Sequence, residues 1–448
     1  MRFNKQYFVD SLEIFDMIFL ILLQRGCLLK MPIRASFIVS SWYYWINPIK
    51  QQPLTQLYLA TLLDENADVD VGLIDLRGNP NIEIPERDIY FYTIISPDFQ
   101  ELIDLNAQIR NKYPAAVHVA GGIHASFYPH EVKRYFDSVV IGDGEEIFNI
   151  ILEDYKKGSL LPIYKNSSKK FQTMPKRHFI PKERVISSLF KSRPEIRATT
   201  AFFSKGCPFL CGFCANYEPH QLYRKTIDNI IAEIDYLKSE YSIEGIALVD
   251  DICIPLAENQ ADEYLKRVRH ANIYWRGQTR AGVPQKILAK AREAGCLELA
   301  FGAESVSPEV LKIIDKRVEI ATLKQTIKDC KDVGIWVQIC LINGLPGEPE
   351  NVVEITKEFI NEVNPNSVVL CSLLVYPGSP FFINPKKYGI TRIDMDYRKY
   401  QVVISRFKDI DTNRRNLNFR YENGFSEEQI IEHLLELQNF LTDEGYNK

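Results

Sequence analysis

A chain of 448 residues, 46% hydrophobic and 25% charged, has the balance of a globular protein large enough for two or three domains of about 150 residues. Its net charge of -4, with no block of like charges, argues against non-specific binding to nucleic acid or acidic membranes. Nine cysteines, an odd number with Cys27, Cys253, Cys296, Cys330, Cys340 and Cys371 scattered singly, exclude a small disulfide scaffold and point to a reducing cytoplasm.

The chain opens on "IFDMIFLILL", residues 14–23. This run is too short for a bilayer span of about 20 residues, and "QRGC" after it is a poor cleavage site. Residues 1–31 are therefore read as an extension, or a misassigned start, ahead of the fold. From residue 32 short apolar runs alternate with helical patterns. "RASFIVSS" reads as a buried strand and "QPLTQLYLATLLDEN" as a helix. Strands "DVGLIDL" and "DIYFYTIIS" follow, then helix "FQELIDLNAQIRNKY", strand "AVHVAGG", a helix near "PHEVKRYF", strand "SVVIGDG" and helix "EEIFNIILEDYKKG". Such alternation implies parallel βαβ units, so residues 32–160 form a doubly wound, Rossmann-like α/β domain. Residues 161–195 are polar, basic and proline-bearing without a sustained period, and read as a linker.

At residue 196 the alternation restarts. Strands "TTAFFSKG", "GIALVDD", "YWRGQTRA", "LELAFGAES", "WVQICLING" and "SVVLCSLLVYPG" are separated by helices. In "TIDNIIAEIDYLKSEY" the residues Ile227, Ile230, Ile231, Ile234 and Leu237 make one apolar face. Six strand–helix units in a row suggest a partial α/β barrel over 196–384. Residues 385–448 form a small, less regular C-terminal region expected to cover the barrel mouth. It ends in the amphipathic helix "SEEQIIEHLLELQNFL". Its arginines and tyrosines hint at an anionic or ring-bearing substrate, against the plainer reading of a solvated surface.

Directly after the first barrel strand comes "SKGCPFLCGFCANY". Cys207, Cys211 and Cys214 are spaced Cys-x3-Cys-x2-Cys, with Phe213 just before the last. Structural zinc sites usually pair two Cys knuckles, and there is no second one, although His220 could complete a set. Soft thiolates crowded into one loop favour an iron–sulfur cluster. Three thiolates leave one iron of a cubane open to a substrate or cofactor. The loop lies at the C-terminal face of the barrel, where ligands collect.

The sequence "GCPFLCGFC" resembles the Cys-x3-Cys-x-aromatic-Cys motif of radical S-adenosylmethionine enzymes. The resemblance implies a 4Fe-4S cluster on Cys207, Cys211 and Cys214, with S-adenosylmethionine at the open iron. It also implies an external one-electron reductant such as flavodoxin or ferredoxin. Later strand ends fit the same expectation: Asp250 and Asp251, Arg280, Glu304 and Ser305, then Gln338 and Leu345. Glu304 is a candidate for the ribose or amino group, and Gln338 and Leu345 for ribose and adenine. Taken singly, a strand-end Asp is more often a helix cap, and "GLPG" more often just a turn.

"GGIHAS" and "GDGEE" give the first domain glycine-rich strand ends, where a ligand approaches backbone closely. Set before such a barrel, they look like the cobalamin-binding subclass of the same family. The implied cofactor edge comprises Ser40, Ser96, Gly121, Gly122, His124, Gly142, Gly144 and Glu145. The Asp-x-His-x-x-Gly signature that carries a cobalt ligand is absent, since "DLRGNP" has no histidine. His124 is read as a packing or corrin-edge residue rather than a cobalt ligand. The expected activity is methyl transfer to an unactivated carbon of a small molecule or peptide. The same cofactors could instead serve a rearrangement, cyclisation or oxidation, or the chain could be a non-catalytic cobalamin carrier or sensor. A methylthiotransferase would need cysteines in its first domain, and none occurs between residues 32 and 200.

Overall fold

A computed structural model of the chain describes residues 32–41, 52–166, 171–215, 221–397 and 417–446. The apolar run at 14–23, Cys27 and His220 lie outside them. Among the described residues no helix is long and apolar enough to cross a membrane.

The first domain is a six-stranded parallel sheet. Its strands are β1 (Ile33–Val39), β2 (Val69–Asp75), β3 (Ile89–Thr93), β4 (Val117–Gly121), β5 (Ser138–Ile141) and β6 (Ile163–Lys165), in the order β2-β1-β3-β4-β5-β6. The last five residues of β1 are all buried, as a strand covered on both faces requires. Successive residues feed opposite cores. Ile38, Tyr90 and Tyr92 pack on one face with Phe99 and Leu102 of helix α2 (Phe99–Lys112). Phe37, Phe91 and Val119 pack on the other with α1 (Leu54–Asp64) and α3 (Ile147–Lys157). The strand order reverses between β1 and β3. That switch point opens a crevice beyond their carboxyl ends, the usual ligand position of such sheets.

The second domain has six parallel strands in sequential order: β7 (Arg197–Ala201), β8 (Gly245–Leu248), β9 (Tyr274–Thr279), β10 (Cys296–Glu304), β11 (Trp336–Asn343) and β12 (Ser367–Ser372). Helices α4 (Ile227–Tyr241), α5 (Glu258–His270) and α6 (Gln285–Glu293) cover one face, the short α7 (Pro308–Ile313) packs in a separate cluster with Leu345 and Phe381, and α8 (Ile320–Asp332) and α9 (Val352–Val363) return to the first face. In β11 the residues Val337, Ile339 and Leu341 join the helix-side core, which turns Gln338 and Cys340 to the other face. The result is a curled half-barrel.

The segment read as a linker does more than connect. It supplies β6 to the first sheet, and Ser187–Ser188 pairs antiparallel with β7 at the edge of the second. Phe171 stacks on Phe202 with ring centres 5.3 Å apart, and Tyr58 of α1 lies 5.8 Å from Phe171. One aromatic from each part therefore meets at the junction. Arg177, fully buried, donates to Thr200 O at 3.0 Å and sits 3.7 Å from Glu233, itself bonded to Lys225 at 2.7 Å.

Strands β13 (Ile390–Ile393) and β14 (Phe419–Tyr421) form a hairpin, followed by α10 (Glu427–Asp443). Ser426 and Gln429 close a capping box at the start of α10. Ile390, Phe419 and Ile430 share one apolar cluster with Leu345, and Phe213 of the thiol motif packs against it. Leu434, Leu437 and Leu441 enter the half-barrel core, because the open flank after β12 offers the apolar partner that an amphipathic stripe needs.

Candidate functional site

The thiol loop is tied down at both ends. Ser204–Lys205 pairs antiparallel with Tyr223–Arg224 and closes the loop into a ring. Asp250, fully buried after β8, accepts the Phe203 amide at 2.8 Å and the Ser204 hydroxyl at 2.6 Å. Burial lifts its carboxyl to about 6, against the pull of nearby Arg224 and these hydrogen bonds. Asp251 accepts the Gly206 amide at 3.0 Å. The two strand-end aspartates therefore shape the first turn of the loop. Further on, Gly212 donates to Ile314 O at 2.8 Å and accepts from the Phe381 amide at 2.9 Å.

Among the described residues no three His, Cys, Asp or Glu side chains converge as one metal ion requires. Three thiols from a single loop instead suit a cluster, whose ligands attach to separate irons. Burial raises the Cys207 thiol, and burial followed by the Cys211 thiol and Asp251 pushes Cys214 up to about 12. The Arg280 guanidinium lies 3.7 Å from the Phe209 ring centre and points Nη1 at Cys211 Sγ, 3.9 Å away. Glu304, at the end of β10, pairs with Lys316 at 2.7 Å.

Between the loop and the first sheet lies a cavity of about 710 Å³. Ser40, Thr93, Gly121, Gly122, Ser126, Gly142, Gly144 and Glu145 wall one side, and Thr200, Phe202, Ser204, Lys205, Gly206 and Asp251 the other. Phe37, Phe91 and Phe148 give it an apolar lining. Ser126 donates to Gly122 O at 2.9 Å and accepts the Gly142 amide at 3.0 Å, joining the two glycine turns. Gly122 has φ +97°, and a Cβ there would lie 2.6 Å from the Ile94 backbone. Lys205, two residues before Cys207, bonds Asp143 at 2.7 Å and Glu145 at 3.0 Å. The wall of the cavity is thus continuous with the thiol loop.

Residues 202–360 match the model of the radical SAM superfamily. The half-barrel is a radical S-adenosylmethionine domain. Over 380 residues the chain is 26% identical to an uncharacterized methyltransferase of Pyrococcus horikoshii, spanning 78% of this chain and 82% of the relative. It is 24% identical over 388 residues to an anaerobic magnesium-protoporphyrin IX monomethyl ester cyclase of Rubrivivax gelatinosus, spanning 78% of this chain and 69% of that one. In fold it is similar to TsrM from Kitasatospora setae, a radical S-adenosylmethionine methyltransferase solved with cobalamin and a [4Fe-4S] cluster bound. That likeness has a TM-score of 0.69 at 15% identity and covers 91% of each chain.

At the mouth of the radical SAM domain the structure gathers Cys207, Cys211, Cys214, Phe213, Asp251, Arg280 and Glu304. Ser305 is buried, its hydroxyl accepting the Ser307 amide at 3.2 Å. Leu345 is buried in an apolar cluster, with its amide on Glu348 at 3.0 Å. Gln338 sits within β11, its amide nitrogen 3.8 Å from Cys340 Sγ. Of the expected cofactor edge, Ser96 and His124 do not line the cavity. They bond each other at 2.9 Å, and the His124 ring packs against Phe99 and Tyr397, 4.4 and 4.9 Å between centres.

Sequence reasoning missed Asp98, Lys205 and Lys316. Asp98 is buried beside the cavity, accepting from Ser40 Oγ and the Ile95 amide, both at 2.9 Å. Burial pushes its carboxyl up to about 8. An unfolded Asp titrates near 3.9. The folded state therefore holds the proton more tightly, and this stabilisation is lost as pH rises from about 4 through 8. Asp98→Asn, always neutral, is expected to raise the melting temperature more at pH 8.5 than at pH 5.5. The gain should grow by on the order of 1 kcal/mol or more, as thermal melts at the two pH values will show.

Proposed function

We propose that this chain is a cobalamin-dependent radical S-adenosylmethionine enzyme that methylates an unactivated carbon of a small-molecule substrate. The observation that carries this reading is the shared wall. Lys205 and Gly206 line the cavity of the first domain and lead directly into Cys207. A cofactor held on the strand ends of the first domain then lies against whatever the thiol loop holds.

Cys207, Cys211 and Cys214 are the residues to hold a 4Fe-4S cluster, with Asp251, Arg280 and Glu304 around the S-adenosylmethionine. Ser40, Gly121, Gly122, Gly142, Gly144 and Glu145 are the edge for cobalamin. When bound, these groups supply a 5′-deoxyadenosyl radical by one-electron reduction and a transferable methyl group. The chain's own residues do the rest. Asp250 and Asp251 fix the turn into the thiol loop. The phenylalanines of the cavity exclude water, which strengthens every polar contact inside. Lys205 pairs with the buried Glu145, whose carboxyl burial still holds above its ordinary value against the pull of that ammonium. We place the protein in the cytoplasm, where flavodoxin or ferredoxin provides the electron.

The test uses anaerobically reconstituted protein loaded with hydroxocobalamin, reduced by flavodoxin or titanium(III) citrate, and given deuteromethyl-labelled S-adenosylmethionine. We expect about one corrin and four irons retained per chain, 5′-deoxyadenosine, and labelled methylcobalamin by mass spectrometry. The Rubrivivax cyclase relative supports a second reading, in which the same cofactors act without methyl transfer. That reading takes over if deoxyadenosine forms and no label reaches the corrin. Failure to retain any corrin sinks the cobalamin assignment.

A further inference from the structure

Between α7 and α8 the chain reads Asp315-Lys316-Arg317, and no motif marks it. Asp315 (φ 51°) and Arg317 (φ 53°) both hold left-handed backbone without being glycine. Glu304, which Lys316 meets, is left-handed too, with φ 63°. Each such residue costs about 1–2 kcal/mol, so surrounding structure must enforce it. Ser242 and Asn364, also left-handed, simply terminate α4 and α9, where the conformation is routine. Asp315 likewise closes α7, where the Lys316 amide reaches Leu311 O at 2.9 Å and the Asp315 amide Lys312 O at 3.2 Å, and Glu304 lies at a shift in the register of β10 with β11. Arg317 has no such helix end.

The turn that closes α7 aims one side chain. Lys316 Nζ stands 2.7 Å from Glu304 Oε1, with the two side chains only 8% and 11% exposed. The pair presses on Gly302, where a Cβ would lie 2.1 Å from Glu304 Oε1 and 2.9 Å from Lys316 Nζ. The same ammonium lies 6.0 Å from the ring centre of Phe213, the aromatic of the cysteine motif. The Lys316 carbonyl accepts from Arg280, whose Nη1 faces Cys211 Sγ. Two residues earlier, Ile314 O takes the Gly212 amide at 2.8 Å. One short segment therefore ties β9, β10 and the thiol loop together. Glu304 Oε2 has no hydrogen-bond partner among the described residues.

We propose that Lys316 is a positioning residue for S-adenosylmethionine: it fixes Glu304 from behind so that Oε2 accepts a donor group of the ligand beside the thiols. It leaves the Arg280 guanidinium, which faces Cys211, without Glu304 as its partner and so open to the ligand's carboxylate. This rests on the reading above. A pair that merely neutralised a buried acid would need neither the ties to Arg280 and the thiol loop nor an open second oxygen.

The test compares Lys316→Met and Lys316→Arg with the parent, all reconstituted with cluster and hydroxocobalamin. Lys316→Met should keep its iron and corrin, and bind S-adenosylmethionine at least tenfold more weakly by equilibrium dialysis. At a ligand concentration that saturates the parent, the ligand-induced change in the reduced-cluster electron paramagnetic resonance signal should be missing. Lys316→Arg should stay within threefold of the parent. Parent-like binding and signal in Lys316→Met overturn the proposal and leave the parent reading intact. Equal loss of iron in both variants also overturns it, by showing a structural role. If the parent itself binds no S-adenosylmethionine, the functional reading falls and takes this inference with it.

Discussion

Cys211→Ala is expected to abolish S-adenosylmethionine cleavage while leaving the fold and corrin binding in place. Cys211 is the central thiol and is buried. Its backbone makes the turn by accepting the Cys214 amide at 2.9 Å, a bond the substitution retains. Alanine removes only the sulfur, and no disulfide depends on it. With two thiolates left, the cluster loses the ligand set on which its retention depends. The loss in 5′-deoxyadenosine formation should exceed about 1,000-fold, the scale seen when one member of an indivisible catalytic unit is removed. The cavity should still take up hydroxocobalamin, since its walls are Ser40, Gly121, Gly142 and Lys205 rather than the thiols. Iron analysis, corrin absorbance and deoxyadenosine chromatography on one preparation check this. Parent levels of iron and deoxyadenosine in the variant would remove the cysteine loop from the mechanism.

Which parts of this site can be read from the chain follows from the range of the interactions. The central strands of the first sheet are legible because a strand covered on both faces is mostly apolar, as in the Phe37–Val39 end of β1 and in Ile89–Tyr92 of β3. The cysteine motif is legible because its ligands lie within eight residues and a cluster fixes their spacing. The strand β6 is not, since three residues carry no measurable period. Asp250 and Asp251 read as equivalent strand-end acids. Only the fold separates them, because Asp250 finds Phe203 and Ser204 more than forty residues away in sequence. Lys316 is silent for a similar reason. Its partner stands twelve residues earlier on another element, and the helix-end turn that aims it carries no glycine to mark it. The partner of α10 is not legible either, because an amphipathic stripe states that a partner exists without saying which surface it is.

The second large effect is expected at Gly206, the residue before Cys207. It has φ +84°, and a Cβ built there lies 2.4 Å from the Gln221 carbonyl oxygen. Both halves of the problem are backbone, so no side chain can rotate away. The left-handed conformation alone costs a non-glycine residue about 1–2 kcal/mol. The clash adds to that unless the loop moves. The path of least resistance is to part Ser204–Lys205 from Tyr223–Arg224, the pairing that closes the ring around the thiols. That movement also pulls the Gly206 amide from Asp251 and shifts Lys205 against Glu145. Gly206→Ala should therefore destabilise the protein by about 3 kcal/mol and lose most of its iron after reconstitution. Gly158 supplies the control, with a similar φ of +66° and nothing within 4 Å of where a Cβ would stand. Gly158→Ala should cost only about 1 kcal/mol and keep its full iron content. Urea midpoints and iron per chain, measured side by side, separate conformational cost from collision. If the two variants behave alike, the close approach of Gly206 to Gln221 is not what holds the thiol loop shut.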